Sequence, residues 1–570
     1  MNRLSSIVTA YAAAVTAVIA VWLLFPGTAA PSTPLPAPGA DVEQRSQGTS
    51  PPALLVASFD GLGDGFVGPH GTAHVRNPSD NSLAVGLDHI VQTVNTRLAI
   101  FTKKGQRFDT TGKVLYGPVP TNTVFKGFGG SCEQQNNGDA VVRYDQLAQR
   151  WLIVMPIFRR EKSRPDQPPE WQASDAAYLS PPGVKGQPGP AAALFVPPPA
   201  PPEPPAPRDT ARRPLFPQRP FERPPEEEGP YSMCYAVSTS PDPMGAYYRY
   251  QFLRPLFPDY PRPAVWPDGY YVPTSTGDEV IQKHTCVADR ERMLKGEPAT
   301  EQCFVVDSVS FLNNADLDGT ALPPAGAPNI VLAAGGRQLL GDFDDDGIYA
   351  WQFHVDWQTP ANSKLTGPVK IPVAPYHFLC DGQLTNCVRQ PGTDRHLDAQ
   401  GDKIMPRVVY RNVNGREFVV AVHSVATTAG AGGVRWYQLT VNTDRSLTLR
   451  QQGTYAPDRF YRWMASPAMD KNGNLGIGYS FGGTPRFAGQ RFAARLADDR
   501  LGTLTLSEAV LAEGEAPQSN TLRWEDYTQT AVDPSDDCTI WYVGDYLKQG
   551  AESYSTRIGA FRLPGCSARE

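Results

Sequence analysis

The feature that most constrains this chain is a recurring hairpin. A short apolar run is turned by a polar corner and answered by a β-branched or aromatic run. Leu83 to Gly86 is followed by Ile90 to Val94, Val141 to Tyr144 by Trp151 to Val154, and Ala264 to Trp266 by Tyr270 to Val272. The same grammar returns in Val408 to Tyr410 with Phe418 to Val422, in Ala468 and Met469 with Leu475 to Tyr479, and in Thr530 to Val532 with Thr539 to Val543. The corners at Asp268-Gly269, Asn414-Gly415 and Asn472-Gly473 carry pairs that supply the positive φ of tight hairpin turns. Further strands follow several hairpins, as at Arg97 to Phe101, Val434 to Leu439 and Arg557 to Phe561. A weaker unit lies at Asn329 to Leu332 and Tyr349 to Val355. About four strands per unit, repeated about seven times, predicts an all-β single β-propeller, in which radial packing hides most sheet edges. Roughly six to eight blades fit the count, and a β-sandwich or a pair of them is the alternative architecture.

Composition agrees. Gly 51 and Pro 57 suit turn-rich sheets and disfavour long helices. The net charge of -6 and the lack of a basic stripe exclude electrostatic nucleic-acid binding. The N-terminus reads differently. Asn2 and Arg3 precede an almost wholly apolar run from Ile7 to Phe25, then Gly27, Thr28, Ala29 and Ala30. This predicts an N-terminal hydrophobic helix, with residues 1–30 a signal peptide or a signal anchor. The run approaches the ~17–25 residues of a span, so residues 7–25 also suit membrane anchoring. Either way the body is extracytoplasmic: secreted, periplasmic or membrane-anchored. The eight cysteines form no Cys-x-x-Cys pair, and in an oxidising compartment they are expected to form disulfides. Cys380 with Cys387 and Cys286 with Cys303 are local staples, Cys538 with Cys566 ties the C-terminus, and Cys132 with Cys234 remains. Residues 31–52 read as a Pro-rich flexible linker and 53–570 as the propeller. Residues 160–230, with the run Pro197 to Pro205, read as a disordered Pro-rich insertion between strands of one sheet.

Several phrases resemble an exported bacterial β-propeller family, described as sialidase-like or uncharacterised. They are Asn77 to Gly86 with Val91 to Asn95, Gly138 to Asp145, Phe257 to Pro261, Tyr461 to Met464 with Met469 to Asn474, and Arg523 to Tyr527. The resemblance covers roughly residues 75–566 and implies the propeller fold; the family has no settled activity. The strict sialidase Asp-box is absent, Met469 to Gly478 being its nearest approach, and no sialidase catalytic residue maps onto this chain.

One pattern stands apart from the repeat. Asp80, Asp139, Asp259, Asp402 and Asp526 each precede a first strand. If that strand is innermost, they converge at one end of the axis. Arg462 and Trp463 take the comparable place in the sixth unit, with Tyr260, Glu525, Tyr527 and Trp524 beside the ring. Carboxylates beside aromatics and an arginine can bind a sugar, and paired carboxylates can cleave a glycosidic bond. The plainer reading is that each Asp accepts backbone amides and ties one blade to the next. A second acidic run, Asp342, Asp344 and Asp346 before Gly347, matches the opening of a calcium loop. Phe353 stands where such a loop needs its bidentate Glu, so an EF-hand is excluded; a Ca2+ loop with other ligands or a solvated acidic hairpin tip remain. No His-Glu-x-x-His zinc motif or Gly-x-Ser-x-Gly elbow is present. The expected function is that of a monomeric binding or scaffold module for an extracellular glycan or protein. The alternative is a sialidase-like glycoside hydrolase or lyase using the axial acidic face.

Overall fold

A computed structural model describes residues 39–159, 178–179, 192–193, 230–254, 257–275, 283–306, 311–338, 343, 345–382 and 386–567. The hydrophobic helix and signal or anchor expected at residues 1–30, and Asp342 and Asp344, lie outside them.

Turn chemistry sets the hairpins. Asn414 at φ 52° and Gly415 at φ 81° form a two-residue corner that pairs Val413 with Arg416. Both central residues lie in the left-handed region, the requirement that selects Asn-Gly. Asp470 uses its own carboxylate: Oδ1 accepts the amides of Asn472 at 2.9 Å and Asn474 at 3.0 Å. From such corners the strands build antiparallel meanders of four. One comprises Ser82–Val85, His89–Val94, Arg97–Thr102 and Val114–Pro120. Its successors begin with Val141–Asp145, Ala264–Trp266, Asn313–Leu317, Val408–Val413, Tyr461–Met469 and Gln529–Val532.

These first strands lie side by side in chain order, and Gln529–Val532 returns to Ser82–Val85. They therefore close a ring, and the fold is the β-propeller expected from the repeat. Apolar side chains fill the space between successive sheets. Trp151, Tyr144, Ala84 and Val91 pack in one such layer, and Trp436, Trp463, Ile477 and Tyr479 in another. The ring is sealed by an early strand: Leu54–Asp60 pairs with Ser555–Arg562, so strands from both ends of the fold complete the last sheet.

Three details differ from the sequence reading. The weaker unit begins earlier than Asn329, at Asn313–Leu317. Its polar residues do not read as a strand but are buried against polar partners, and the strand pairs in parallel with Val408–Val413. Within residues 31–52, read as flexible, Glu43–Gln44 pairs in parallel with Thr454 and Tyr455, and Ser50 bridges Leu506. The chain there is strapped to the outer strand of one sheet and to the segment at Leu506. In the insertion, Tyr178–Leu179 and Ala192–Ala193 pair with Gln302 to Cys303 and Ala246 to Tyr247. The four disulfides are Cys132–Cys234, Cys286–Cys303, Cys380–Cys387 and Cys538–Cys566, the pairing expected. They fit an oxidising compartment.

Candidate axial site

Ahead of several first strands, or within one of them, a non-glycine residue is left-handed. These are Asp80 at φ 48°, Tyr260 at 51°, Gln400 at 45°, Met464 at 49° and Asp526 at 65°. Such residues cost free energy and persist where surrounding contacts hold them. For Asp80, Tyr260, Gln400 and Asp526 these contacts are with one another and with neighbours at the same end of the axis.

Asp80 is 1% exposed. Its amide donates to the Glu525 carbonyl at 2.8 Å, and its Oδ2 accepts Asn95 Nδ2 at 2.5 Å. Its carboxyl is hydrogen-bonded to that of Asp139. Asp139 also accepts the Tyr527 hydroxyl at 3.3 Å. Tyr527 stacks on Tyr260 with ring centroids 4.4 Å apart, and the Tyr260 hydroxyl donates to the Asp526 carbonyl at 2.7 Å. The Asp526 carboxylate accepts Gln400 Nε2 at 2.9 Å and pairs with Arg523. Arg523 also reaches Asp398 at 3.1 Å. Asp402 pairs with Lys403 at 2.9 Å, and the Lys403 ammonium lies 3.9 Å from the Phe311 ring centroid. Asp259 accepts the Tyr260 amide at 2.8 Å. Asp80, Asp398, Asp526, Tyr260 and Tyr527 are buried in this cluster, and Asp139, Asp259 and Asp402 are partly buried.

Burial and mutual repulsion raise the acids. Asp80 is pushed well above the usual carboxylate range by burial, then by Asp139 and Asp526. Asp139 is pushed up to about 8 by burial, then by Asp259 and Asp526. Although part of its surface is open, its carboxyl is crowded by packed neighbours. Asp398 is pushed up to about 7 by burial, then by Asp526. Such perturbed groups gather at functional sites.

The structure thus brings Asp80, Asp139, Asp259, Asp402, Asp526, Tyr260 and Tyr527 together. It does not bring Arg462 and Trp463 with them, which corrects their assignment to the ring. The bend residue of that sheet is Met464. The Arg462 guanidinium is held by Asp458 at 2.8 Å and Glu508 at 2.9 Å, and Trp463 lies in the core against Trp524. Glu525 also turns aside. Its carboxylate accepts Ser480 Oγ at 2.9 Å, Gln490 Nε2 at 2.9 Å and the Asp545 amide at 2.6 Å, all fully buried. Sequence reasoning missed Asp398, Gln400, Lys403 and Arg523. The signal was their place next to predicted acids: Arg523 is three residues from Asp526 and Lys403 adjoins Asp402. The tie to backbone amides is made across the chain by Asp398, whose Oδ1 accepts the Trp524 amide at 2.9 Å. Asp80, Asp139 and Asp526 bond to side chains instead. In the other acidic run, Asp346 Oδ2 accepts the Tyr376 amide at 3.0 Å and Asp345 pairs with Lys370.

Elsewhere along the first strands lies a cavity of about 20 Å³, lined by Arg143, Asp316, Asp318 and Arg407 among others. Its charges satisfy one another: Arg407 holds Asp318 and, at 2.9 Å, Asp316, which Arg143 meets at 3.3 Å.

The fold and site define a disulfide-stapled β-propeller with an acidic axial end. No protein-family model matches the chain, and no curated protein matches it. A protein of unknown function from Dyadobacter fermentans aligns over 85% of this chain and 94% of its own, at 10% identity and TM-score 0.31. The WD40 domain of SCAP from fission yeast aligns over 85% and 96%, at 10% identity and TM-score 0.31. A glycoside hydrolase aligns over 60% and 86%, at 10% identity and TM-score 0.20. Likenesses this slight carry no functional argument.

Proposed function

We propose that this is an exported propeller of seven blades that binds an extracellular glycan or protein through its acidic axial end. The observation that carries the reading is the convergence of Asp139, Asp259 and Asp402, partly buried and each ahead of a different sheet, beside the buried Tyr260–Tyr527 stack. Hydroxyl or cationic groups of a ligand are donors to such carboxylates. A glycan array and an affinity capture of extracellular proteins, both with the full chain, test this. The triple variant Asp139→Asn, Asp259→Asn, Asp402→Asn is the control. Specific capture by the wild type, lost in the variant, is expected; capture equal in both sinks the reading.

A glycoside hydrolase or lyase is the second reading. Its support is Asp139: held at about 8, its carboxyl keeps a proton at neutral pH, as a general acid must. Turnover of aryl glycosides or polysaccharides that vanishes in Asp139→Asn would favour it over binding alone.

A further inference from the structure

We propose that the cavity beside Arg143, among the first strands, is a site for one small monovalent anion of the chloride class. The proposal goes beyond the ligand reading and stands whatever the acidic end recognises. The cavity has a volume of about 20 Å³, and Arg143, Gln146, Asp316, Asp318, Arg407 and Gln529 are in its lining. A space of ~10–15 Å³ holds one water, so this one takes a single species little larger than water and no sugar ring.

The formal charges of the lining pair off, but its hydrogen bonds are shared unevenly. Arg407 takes both carboxylates: Nε donates to Asp316 Oδ2 at 2.9 Å, Nη1 to Asp318 Oδ2 at 3.1 Å, and Nη2 to Asp318 Oδ1. Arg143 has no carboxylate of its own. It is 4% exposed, and its one hydrogen bond among the described residues runs from Nη1 to the Val142 carbonyl at 3.0 Å. Its buried Nε makes no hydrogen bond, although Asp316 Oδ2 lies 3.3 Å away. A guanidinium carries five N–H donors, and a buried donor left unmatched carries its full desolvation penalty. Burial pushes Arg143 down to about 10, whereas Arg407, in spite of burial, is raised by Asp318 and Asp316.

The donors and acceptors of the lining distinguish an anion from water. The side-chain acceptors are engaged. Besides the bonds from Arg407, Asp316 Oδ1 accepts the Val265 amide at 2.9 Å, Gln146 Oε1 the Gly319 amide at 2.9 Å, and Gln529 Oε1 the Ser82 hydroxyl at 2.7 Å. The groups left over are donors: the remaining N–H groups of Arg143 and the amide nitrogen of Gln529, a side chain on a residue 4% exposed. A water brings two hydrogens that need acceptors, whereas a halide only accepts. Unspent donors from two sheets, one of them a charged guanidinium, favour the anion. Gln146 and Ala531, the partly exposed members of the lining, give it a way in.

Broadening of the chloride magnetic-resonance line by the full chain, with bromide as competitor, tests the proposal in solution. Anomalous diffraction from crystals grown in NaBr locates the ion. One saturable site is expected at ~0.15 M chloride, with a bromide peak beside Arg143, and sulfate, too large for the cavity, should not compete. Arg143→Met keeps most of the side-chain length and removes its donors. Affinity should fall at least ~10-fold in that variant and stay unchanged in Arg107→Met, whose guanidinium side chain is 48% exposed. If Arg143→Met fails to fold, as circular dichroism would show, Gln529→Met should lower the affinity several-fold while leaving the bonds of Arg407 in place. No specific broadening at ~0.15 M chloride, broadening indifferent to both variants, or a water without anomalous signal beside Arg143 overturns the proposal. A bromide peak with no counterpart in solution, binding at crystal concentration only, overturns it too. The glycan and protein captures are repeated with Arg143→Met and are expected to match the wild type, so the anion site and the acidic end are judged apart.

Discussion

Asp139 and Asp398 keep protons that the unfolded chain gives up. Their ordinary value is 3.8, and burial pushes them to about 8 and about 7. Asp268 and Asp470 are pushed, also by burial, to about 6. Across that range the folded state binds more protons than the unfolded, so stability falls as pH rises. The contribution is complete below about 3.8 and lost on passing about 6 to 8. Buried His284, lowered from 6.5 to about 3 by burial, acts in the opposite sense below 6.5. The melting midpoint is therefore expected to fall between about pH 6.5 and pH 9, and Asp139→Asn with Asp398→Asn should flatten that limb. A midpoint that rises over this window contradicts the account. At this scale the acids ahead of first strands were legible because the repeat aligns them. Lys403, Arg523 and Gln400 were not, because a single charged or amide residue in a loop carries no period. Arg462 misled for a related reason: it sits at the right chain position, but Asp458 and Glu508 neutralise it locally.

Between residues and the ring, turn chemistry was the readable layer. Asn414-Gly415 and Asp470 to Gly473 are corners as their residues demand. Asn313–Leu317 was unreadable because it inverts the usual rule that first strands are apolar. Asn313 Nδ2 donates to the Ile404 carbonyl at 2.9 Å, Asn314 Nδ2 to Asn329 Oδ1 at 2.9 Å, and Asp316 accepts Arg407. Partners supplied by distant segments make a polar strand tolerable, and no local pattern announces them. The segment 39–50 shows the same limit: its strand pairing is with sheets hundreds of residues away. Cys132–Cys234 acts on a comparable span, closing a separation of 102 residues that contains the Pro-rich insertion. By the chain-entropy account a loop of this size contributes about 3–5 kcal/mol. The paired change Cys132→Ala, Cys234→Ala should lower the equilibrium unfolding free energy by that order, measured in guanidinium. A loss under about 1 kcal/mol would place the stabilisation elsewhere.

For the whole molecule, the decisive contact is the seam. Leu54–Asp60 is the fourth strand of a sheet whose other three end the described fold. Removing residues 54–60 uncovers the edge of Ser555–Arg562 and lets the ring open there. The shortened chain is expected to lose its cooperative melting transition and to self-associate on size-exclusion chromatography. A monomer with an unchanged midpoint would show that the first-strand ring holds without its seam. The repeat made a ring legible in the sequence, but the identity of the closing strand was not, because Leu54 to Asp60 resembles any other apolar run.

That seam also sets an order of events. An early segment cannot find its place until the final hairpin has been made, so the polypeptide waits, one margin bare, until synthesis is almost finished. The circle is completed only after the last hairpin has formed, when every carboxylate of the axial end is already there to be gathered.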